Sequence, residues 1–331
     1  PSTELELQLA TIWQDVLGAA DIGVDDNFFA LGGHSLLAMR LVSECQRRLN
    51  LVLPLAQLLA HPSIAELAAN LNNNAKPPLI VPLNAHKSSA TPLFCFHPAG
   101  GHVFAYQTLA QELAAQRPVY GLAYTRLNHA TSLNALADDY ATAINLQQPQ
   151  GHLCLLGWSL GGALALLTAK ALEHMGRTVR FIALIDSFVP GFDDDNVEQT
   201  NELLHAFAKE FSSADCLPEF TDAEQLAAWL QANHPNLGNV LTAHEISQGL
   251  AVFQHLSALS RHCHFEPIKT AVYCWWSEDA GHASLLAQDC IEQTTECIVQ
   301  ASNRIAANHN EIIRDAGLLA ALSALCTRLA D

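Results

Sequence analysis

A serine flanked by glycines joins an apolar run to a helix rich in small residues, and this arrangement limits the folds open to the chain. Residues 153–157 read Leu-Cys-Leu-Leu-Gly, a continuous apolar run typical of a strand buried on both faces. A helical pattern rich in Ala and Leu occupies residues 162–175. Ser159 lies between them, and glycines at positions 157 and 161 permit a sharp turn there. The sequence therefore predicts a strand, a tight turn that exposes the Ser159 side chain, and a helix.

From about residue 79 onward, apolar runs alternate with helical patterns, which predicts a mostly parallel sheet covered by helices. The predicted strands span residues 79–83, 93–97, 119–122, 153–157, 181–186, 271–276 and 297–300. The segment at about 190–265 breaks this alternation with three helix-like stretches and no clear strand. We expect an insertion of this size to cap a sheet.

The first 71 residues predict a small helical domain instead. Apolar residues recur at intervals of three and four from Leu5 to Val16, as on one face of a helix. A second helix is expected to start at or next to Ser35. A third carries the capping-box pattern Ser-Ile-Ala-Glu at residues 63–66.

Linker composition separates the two regions. Residues 72–78 read Asn-Asn-Asn-Ala-Lys-Pro-Pro, and Asn and Pro both break helices. We therefore expect a first domain over residues 1–74, a linker and the start of the next domain over 75–91, and a second domain over 92–331.

Charge and composition exclude some function classes. A formal net charge of −17 argues against nucleic-acid binding, which needs clustered Lys and Arg. The nine cysteines show no repeated metal-ligand spacing, and several lie in apolar runs, as expected in a reducing cytosol. Since no charged leader and no run of about 18 apolar residues occurs, we expect a soluble, cytoplasmic protein with no membrane partner.

Ser159 requires a base and oxyanion donors before its hydroxyl can act as a nucleophile. In chains with this strand–turn–helix motif, the partners follow in the order serine, acid, histidine. Asp186 ends the next predicted strand, so its carboxylate should emerge at the same edge of the sheet as Ser159. Asp279, after the strand at 271–276, is the alternative acid. We favour Asp186.

His309 follows the last predicted strand by a short loop and is the expected base. Two other histidines compete with it, but His97 precedes Ser159 and His282 precedes the final strand, so both depart from the expected order. The His-Cys-His run at residues 262–264 has alternating ligands that would diverge on a helix. We therefore expect no metal site.

Oxyanion donors are expected at two backbone N–H groups. Residues 94–101 read Phe-Cys-Phe-His-Pro-Ala-Gly-Gly and close a strand with a turn. A second oxyanion donor lies at this position in enzymes with a serine at such an elbow. We nominate the N–H groups of Ala99 and Leu160, with a plain strand-to-helix turn as the alternative interpretation.

A second serine stands out only through resemblance. Ser35 follows two glycines at a helix start, and taken alone it is typical of an N-cap. Residues 26–36 read Asp-Asn-Phe-Phe-Ala-Leu-Gly-Gly-His-Ser-Leu. Through this signature, residues 1–71 resemble the peptidyl carrier domain of nonribosomal peptide synthetases. The resemblance implies a small all-α four-helix carrier domain with 4′-phosphopantetheine attached covalently to Ser35.

Residues 92–331 resemble the terminal thioesterase of the same synthetases. The matching motifs lie at residues 92–101, 155–162 and 184–187, and His309 stands in the family's Asn-His-x-Glu context. Ser159 and Asp186 are 27 residues apart, as in that family, which strengthens Asp186 against Asp279. The resemblance implies an α/β-hydrolase domain with a mostly parallel sheet and a helical lid insertion at about 190–265.

Together the two resemblances imply the terminal module of a synthetase. The carrier would present a peptidyl thioester, and the thioesterase would release it through an acyl-serine intermediate, by hydrolysis or macrocyclisation. The implied partners are upstream condensation and adenylation domains, a phosphopantetheinyl transferase and the peptidyl thioester itself. Two alternatives stay open, namely a general serine esterase fused to a non-catalytic helical module and a non-catalytic docking unit.

Overall fold

The computed structural model describes the chain over residues 1–33, 35–72, 77–84, 90–125, 130–187, 204–205, 207–208, 217–233, 243–260, 263–278, 283–296 and 299–329. The chain divides into two compact units, one of residues 1–78, 199–208 and 216–251 and the other of residues 79–198, 209–215 and 252–331. Residues 73–76 of the predicted linker and residues 190–203 of the predicted insertion lie outside the described residues. The domain boundaries drawn from the sequence therefore stay a prediction.

The amino-terminal region is helical, as predicted. Its helices are α1 (Glu4–Leu17), α2 (Ser35–Leu49), α3 (Leu55–Ala60) and α4 (Ile64–Asn72). The apolar face of α1 is buried, and its Trp13 indole meets the ring of Phe28 edge-on with 5.0 Å between ring centroids. Both side chains are fully buried, and burial of an aromatic ring of this kind contributes about 1.5–3 kcal/mol to folding.

The residue pattern predicts one feature of this region, the cap before α4, and does not predict another, helix α3. At the predicted capping pattern before α4, the Glu66 N–H donates to Ser63 Oγ at 3.3 Å, and Ser63 Oγ donates to the Glu66 carboxylate at 3.0 Å. Helix α3 is not predicted by periodicity, because its six residues make less than two turns. It supplies the fourth helix that the resemblance implies.

Strands alternate with helices in the other unit. The strands are β1 (Ile80–Pro82), β2 (Leu93–Phe96), β3 (Val119–Leu122), β4 (Leu153–Trp158), β5 (Val179–Ile185), β6 (Ala271–Ser277) and β7 (Val299–Ile305). They form one sheet in the order β1-β3-β2-β4-β5-β6-β7. Among the strands of the described residues, β1 pairs antiparallel with β3 and the other pairings are parallel. This is the mostly parallel α/β sheet that the sequence predicts.

Helices cover the sheet and complete the core. They are α5 (Gln107–Glu112), α6 (Leu133–Gln147), α7 (Leu160–His174), α10 (Ala283–Thr295) and α11 (Ala316–Arg328). Every residue of β2 and β4 is buried, which explains why these strands are continuous apolar runs. Two more helices, α8 (Ala223–Asn233) and α9 (Ala243–Ser260), lie within the predicted insertion. Within the described ranges, none of these helices is both long and apolar enough to cross a bilayer.

The strand register determines where the polar residues meet. Trp158 at the end of β4 pairs with Ile185 at the end of β5, and Ile185 pairs with Trp275 near the end of β6. Since carboxyl ends of parallel strands meet at one edge, the residues that follow, Ser159 and Asp186, come together with the last residue of β6.

Candidate active site

The nucleophile candidate lies on a strained turn between β4 and α7. Ser159 has φ 56° and ψ −129°, a conformation that few non-glycine residues adopt. Two backbone hydrogen bonds hold the turn, because the Ser159 N–H donates to the Ile185 carbonyl at 3.1 Å and the Gly162 N–H donates to the Ser159 carbonyl at 3.0 Å. The strain is therefore fixed by the surrounding sheet and helix.

The glycines on either side of Ser159 are required for close packing. A Cβ at Gly157 would lie 2.1 Å from the Gly161 carbonyl oxygen, and a Cβ at Gly161 would lie 2.3 Å from the Phe96 carbonyl oxygen. Both distances are shorter than any van der Waals contact, so a side chain at either position would push α7 away from the strands. The Gly-x-Ser-x-Gly pattern thus brings the first turn of α7 against the end of β2.

Asp186 follows β5 and is held by three hydrogen bonds. Its carboxylate accepts from His309 Nδ1 at 2.6 Å, from Ser277 Oγ at 2.8 Å and from the Ser277 N–H at 3.0 Å. Only 2% of Asp186 is exposed. Burial alone would raise the pKa of this carboxyl, but the hydrogen bonds from His309 and Ser277 outweigh it and hold the pKa below its ordinary value. Asp186 is therefore ionised at neutral pH.

His309 lies in the loop that joins β7 to the 3₁₀ turn Ile312–Arg314. The Trp158 indole N–H donates to the His309 carbonyl at 3.0 Å, and the two rings lie 5.4 Å apart between centroids. Because Nδ1 faces Asp186, the tautomer with a proton on Nδ1 leaves Nε2 as the proton-accepting nitrogen. Trp158, which directly precedes Ser159, thus holds the loop that contains His309 in place.

The two nominated oxyanion donors lie at the ends of β2 and β4. Leu160 is the first residue of α7, and Ala99 lies in a turn closed by a hydrogen bond of 3.0 Å from the Gly101 N–H to the Pro98 carbonyl. Among the described residues, neither the Ala99 nor the Leu160 N–H donates to a protein acceptor. Both residues are partly exposed.

The competing residues have different positions. His97 is fully buried, with one ring nitrogen on the Pro98 carbonyl and the other on the Tyr140 hydroxyl. Asp279 and His282 lie outside the described residues, as does His262 of the His-Cys-His run. Within the part of the chain that is described, no group of three or more His, Cys, Asp or Glu side chains is arranged to hold a metal ion.

The loop before α2 has features that suit a phosphate ester. The Gly33 N–H donates to the Phe28 carbonyl at 2.9 Å, and a Cβ at Gly33 would lie 2.4 Å from the Phe28 ring. This close packing fixes Gly33 shortly before α2, which begins at Ser35 and carries no acidic residue in its first turn. The N-terminus of a helix favours a bound phosphate, and the first turn of α2 has no carboxylate to oppose it. The site thus fits 4′-phosphopantetheine.

Ser277 is a site residue that the sequence analysis did not identify. A lone serine at the end of β6 belongs to no motif, and its importance comes from two hydrogen bonds to a residue 91 positions away. The only sequence signal is its place at the carboxyl end of a strand beside the strand of the acid.

We expect Ser277→Ala to lower kcat for thioester hydrolysis about tenfold, because Asp186 loses one hydrogen bond to its charged form. Steady-state kinetics on a soluble thioester would measure the effect. Ser302→Ala is the matched control, since it removes a hydrogen bond of 2.9 Å from the Trp276 indole within the same sheet. Equal losses in the two variants would contradict a specific role for Ser277.

Two family models match the chain. The phosphopantetheine attachment site model matches residues 8–71, and the thioesterase domain model matches residues 91–289, more than half of the chain. The chain belongs to the thioesterase domain family. It combines a domain for covalent attachment of 4′-phosphopantetheine with a thioesterase domain, the didomain arrangement of nonribosomal peptide synthetases.

Relatives of this didomain are large synthetases. The chain is 40% identical to malpibaldin synthetase of Mortierella alpina over 196 residues, covering 56% of the chain and 4% of that protein. It is 37% identical to surfactin synthase subunit 3 of Bacillus subtilis over 209 residues, covering 62% and 16%. It is 29% identical to vanchrobactin synthetase of Vibrio anguillarum over 324 residues, covering 89% and 11%. The chain thus spans less than a fifth of the length of these relatives.

Solved structures share the fold. A four-domain nonribosomal peptide synthetase crystallised in its holo form with AMP and glycine aligns with a TM-score of 0.65 and 22% identity, over 99% of the chain and 26% of that protein. The thioesterase domain of Vlm2, bound with a dodecadepsipeptide, aligns with a TM-score of 0.57 and 18% identity, over 76% and 96%. The α/β-hydrolase fold that the sequence predicts is confirmed.

Proposed function

We propose that this didomain releases a peptidyl group from its own carrier domain through an acyl-serine intermediate on Ser159. The observation that carries the proposal is the hydrogen bond of 2.6 Å between Asp186 and His309 at the sheet edge where β4 delivers Ser159. An ionised acid that orients a histidine is the arrangement that activates a serine.

In the proposed acylation step, His309 Nε2 takes the proton of the Ser159 hydroxyl as its oxygen attacks the thioester carbonyl. Asp186 holds the tautomer and stabilises the imidazolium that forms. The N–H groups of Ala99 and Leu160 donate to the oxyanion. When the carbon–sulfur bond breaks, His309 returns the proton to the leaving sulfur, and the acyl group stays on Ser159.

In the second step a nucleophile releases the acyl group from Ser159. His309 deprotonates either water, which gives a linear acid, or a hydroxyl or amine within the acyl chain, which gives a ring. The same oxyanion donors serve both tetrahedral intermediates. His309 then returns the proton to Ser159 Oγ, which restores the enzyme.

On the carrier domain, Ser35 is the proposed attachment residue. The bound 4′-phosphopantetheine supplies a thiol at the end of a flexible arm. The N-terminus of α2 and the glycine loop packed on Phe28 would hold the phosphate end of this group. Because substrate and enzyme belong to one chain, the effective concentration of the thioester at Ser159 is raised when linker and arm span the distance.

The substrate class follows from the relatives. Malpibaldin synthetase and surfactin synthase subunit 3 are synthetases by name, and the Vlm2 thioesterase domain was crystallised with a dodecadepsipeptide. We therefore propose a peptidyl substrate for this chain as well. The proposed partners are condensation and adenylation domains upstream and a phosphopantetheinyl transferase. The site functions in the reducing cytoplasm, where the thiol stays free.

Loading of the carrier tests the proposal directly. With coenzyme A and a phosphopantetheinyl transferase, we expect the intact mass to increase by one phosphopantetheine in the wild type and in Ser43→Ala, and not in Ser35→Ala. Ser43 lies on the same helix α2 and is the matched control. A mass increase that persists in Ser35→Ala would place the attachment elsewhere.

The loading experiment, combined with an assay of soluble-thioester hydrolysis, separates the two alternative functions. If the wild type hydrolyses a soluble thioester but gains no mass, the chain is a general esterase joined to an inert helical module. If it gains mass but releases neither a loaded acyl group nor a soluble thioester, it is a docking unit.

A further inference from the structure

A buried histidine at the end of β2 has both ring nitrogens in hydrogen bonds and no part in the proposed proton transfers. His97 Nδ1 lies 2.7 Å from the Pro98 carbonyl oxygen, and Nε2 lies 2.8 Å from the Tyr140 hydroxyl. A carbonyl only accepts, so Nδ1 carries the proton, and Nε2 accepts from Tyr140. Burial lowers the pKa of the imidazole to about 4, so His97 is neutral where the enzyme works.

The Pro98 carbonyl belongs to the same peptide group as the Ala99 N–H. A trans peptide is planar, and its C=O and N–H point in opposite directions. The direction of the Pro98 oxygen therefore fixes the direction of the Ala99 N–H. This oxygen accepts two hydrogen bonds, one from His97 Nδ1 and one from the Gly101 N–H at 3.0 Å, which together prevent rotation of the peptide.

The rest of the turn is fixed by backbone contacts. The Tyr124 N–H donates to the Gly101 carbonyl at 2.9 Å. On the other side, the His97 carbonyl oxygen lies 3.0 Å from where a Cβ of Gly161 would be. The backbone of His97 thus packs against the first turn of α7, which carries the other donor, Leu160. His97 therefore contacts both segments that carry the N–H donors, namely the Pro98–Ala99 peptide and the first turn of α7.

We propose that His97 is a positioning residue for the oxyanion hole, in which its Nδ1–H holds the Pro98–Ala99 peptide with the Ala99 N–H directed at the substrate oxygen. This inference rests on the proposed function, because it assumes that Ala99 and Leu160 are the donors. Tyr140, on α6, selects the tautomer by donating to Nε2.

Two substitutions separate the two hydrogen bonds of His97. An asparagine amide reaches about as far as Nδ1, so His97→Asn keeps a donor for the Pro98 carbonyl. A glutamine amide reaches about as far as Nε2, so His97→Gln keeps a partner for Tyr140 and loses the bond to Pro98. With a soluble peptidyl thioester, we expect His97→Gln to lower kcat about 100-fold with KM changed less than about threefold, the pattern of a displaced oxyanion donor. His97→Asn should keep kcat within about tenfold of the wild type.

A peptidyl boronic acid provides a readout that a structural role would not change. The boron binds Ser159 and forms a tetrahedral anion whose oxygen occupies the oxyanion position. Its inhibition constant should increase in parallel with the loss of kcat/KM across the variants. The control is Asn84→Ala, which removes three hydrogen bonds near the start of β3, at the opposite edge of the sheet. It should lower the melting temperature and leave boronate affinity unchanged.

The possible results distinguish a failure of the His97 role from a failure of the proposed thioesterase function. If the wild type shows no Ser159-dependent thioester turnover, the proposed function is wrong. If the wild type is active but His97→Gln binds the boronate as tightly as the wild type does, only the inference on His97 is wrong. Should His97→Gln fail to fold, Tyr140→Phe tests the same bond network, and we expect about a fivefold loss of kcat that again parallels boronate affinity.

Discussion

Ser159→Ala is expected to lower kcat for a soluble peptidyl thioester by at least about 10³-fold, because the variant has no nucleophile and keeps only the oxyanion donors. A peptidyl N-acetylcysteamine thioester is a suitable substrate, since its hydrolysis does not depend on the carrier domain. The carrier-loaded form offers a second readout, in which the variant should keep its acyl mass while the wild type loses it. The melting temperature should not decrease measurably, because the change removes one hydroxyl from a partly exposed residue and adds no atom to the packed turn.

Ser187→Ala is the control for this variant. Ser187 is buried at the same sheet edge, and its hydroxyl lies within hydrogen-bond distance of the carbonyl oxygens of Ile185 (3.0 Å) and Gly157 (3.2 Å), which share its one hydrogen. We expect its kcat to stay within about tenfold of the wild type. Turnover by Ser159→Ala at a rate near that of the wild type would exclude an acyl-serine at this position.

Asp186→Asn is expected to lower kcat about 10⁴-fold at neutral pH with little change in KM. The amide keeps the size of the carboxyl group but can donate to His309 Nδ1, which places the proton of the histidine on the wrong nitrogen. The amide also has only one oxygen, so the Ser277 hydroxyl and N–H, which donate to both carboxylate oxygens of Asp186, lose an acceptor.

The acid-to-amide change needs its own control. Glu311→Gln makes the same chemical change in the His309 loop, where the Glu311 carboxylate accepts from Asn308 Nδ2 at 2.9 Å. Its kcat should stay within about twofold of the wild type. If Asp186→Asn keeps most of its activity, the acid is another residue, and Asp279 becomes the next to replace.

The sheet, and the edge of it where Ser159 and Asp186 lie, could be predicted because short stretches of sequence indicate them. Fully buried strands are continuous apolar runs, and the strand containing residues 153–157 ends at a motif with its own turn geometry. Parallel strands then bring Ser159 and Asp186 to one edge without any further information. His309 needed only its place after the last strand.

The supporting contacts could not be predicted, because they join residues that are distant in sequence and have no motif. The hydroxyl of Ser277 supports Asp186, and the indole of Trp158 binds the carbonyl of His309, 151 positions away. His97 stood out in the sequence only as a competing base. Its actual neighbour, Tyr140, lies 43 positions away on α6, and only packing of the helix on the sheet brings the two together.

The strained turn at Ser159 has a consequence for the nucleophiles that this scaffold accepts. At φ 56° any Cβ is crowded by the backbone, and the second γ atom of a β-branched residue adds to this crowding, which serine and cysteine avoid. A thiol can therefore replace the hydroxyl, and a threonine, although its functional group is the same as that of serine, would distort the turn. The main chain thus restricts the chemistry of this site to unbranched side chains, independently of the base that activates them.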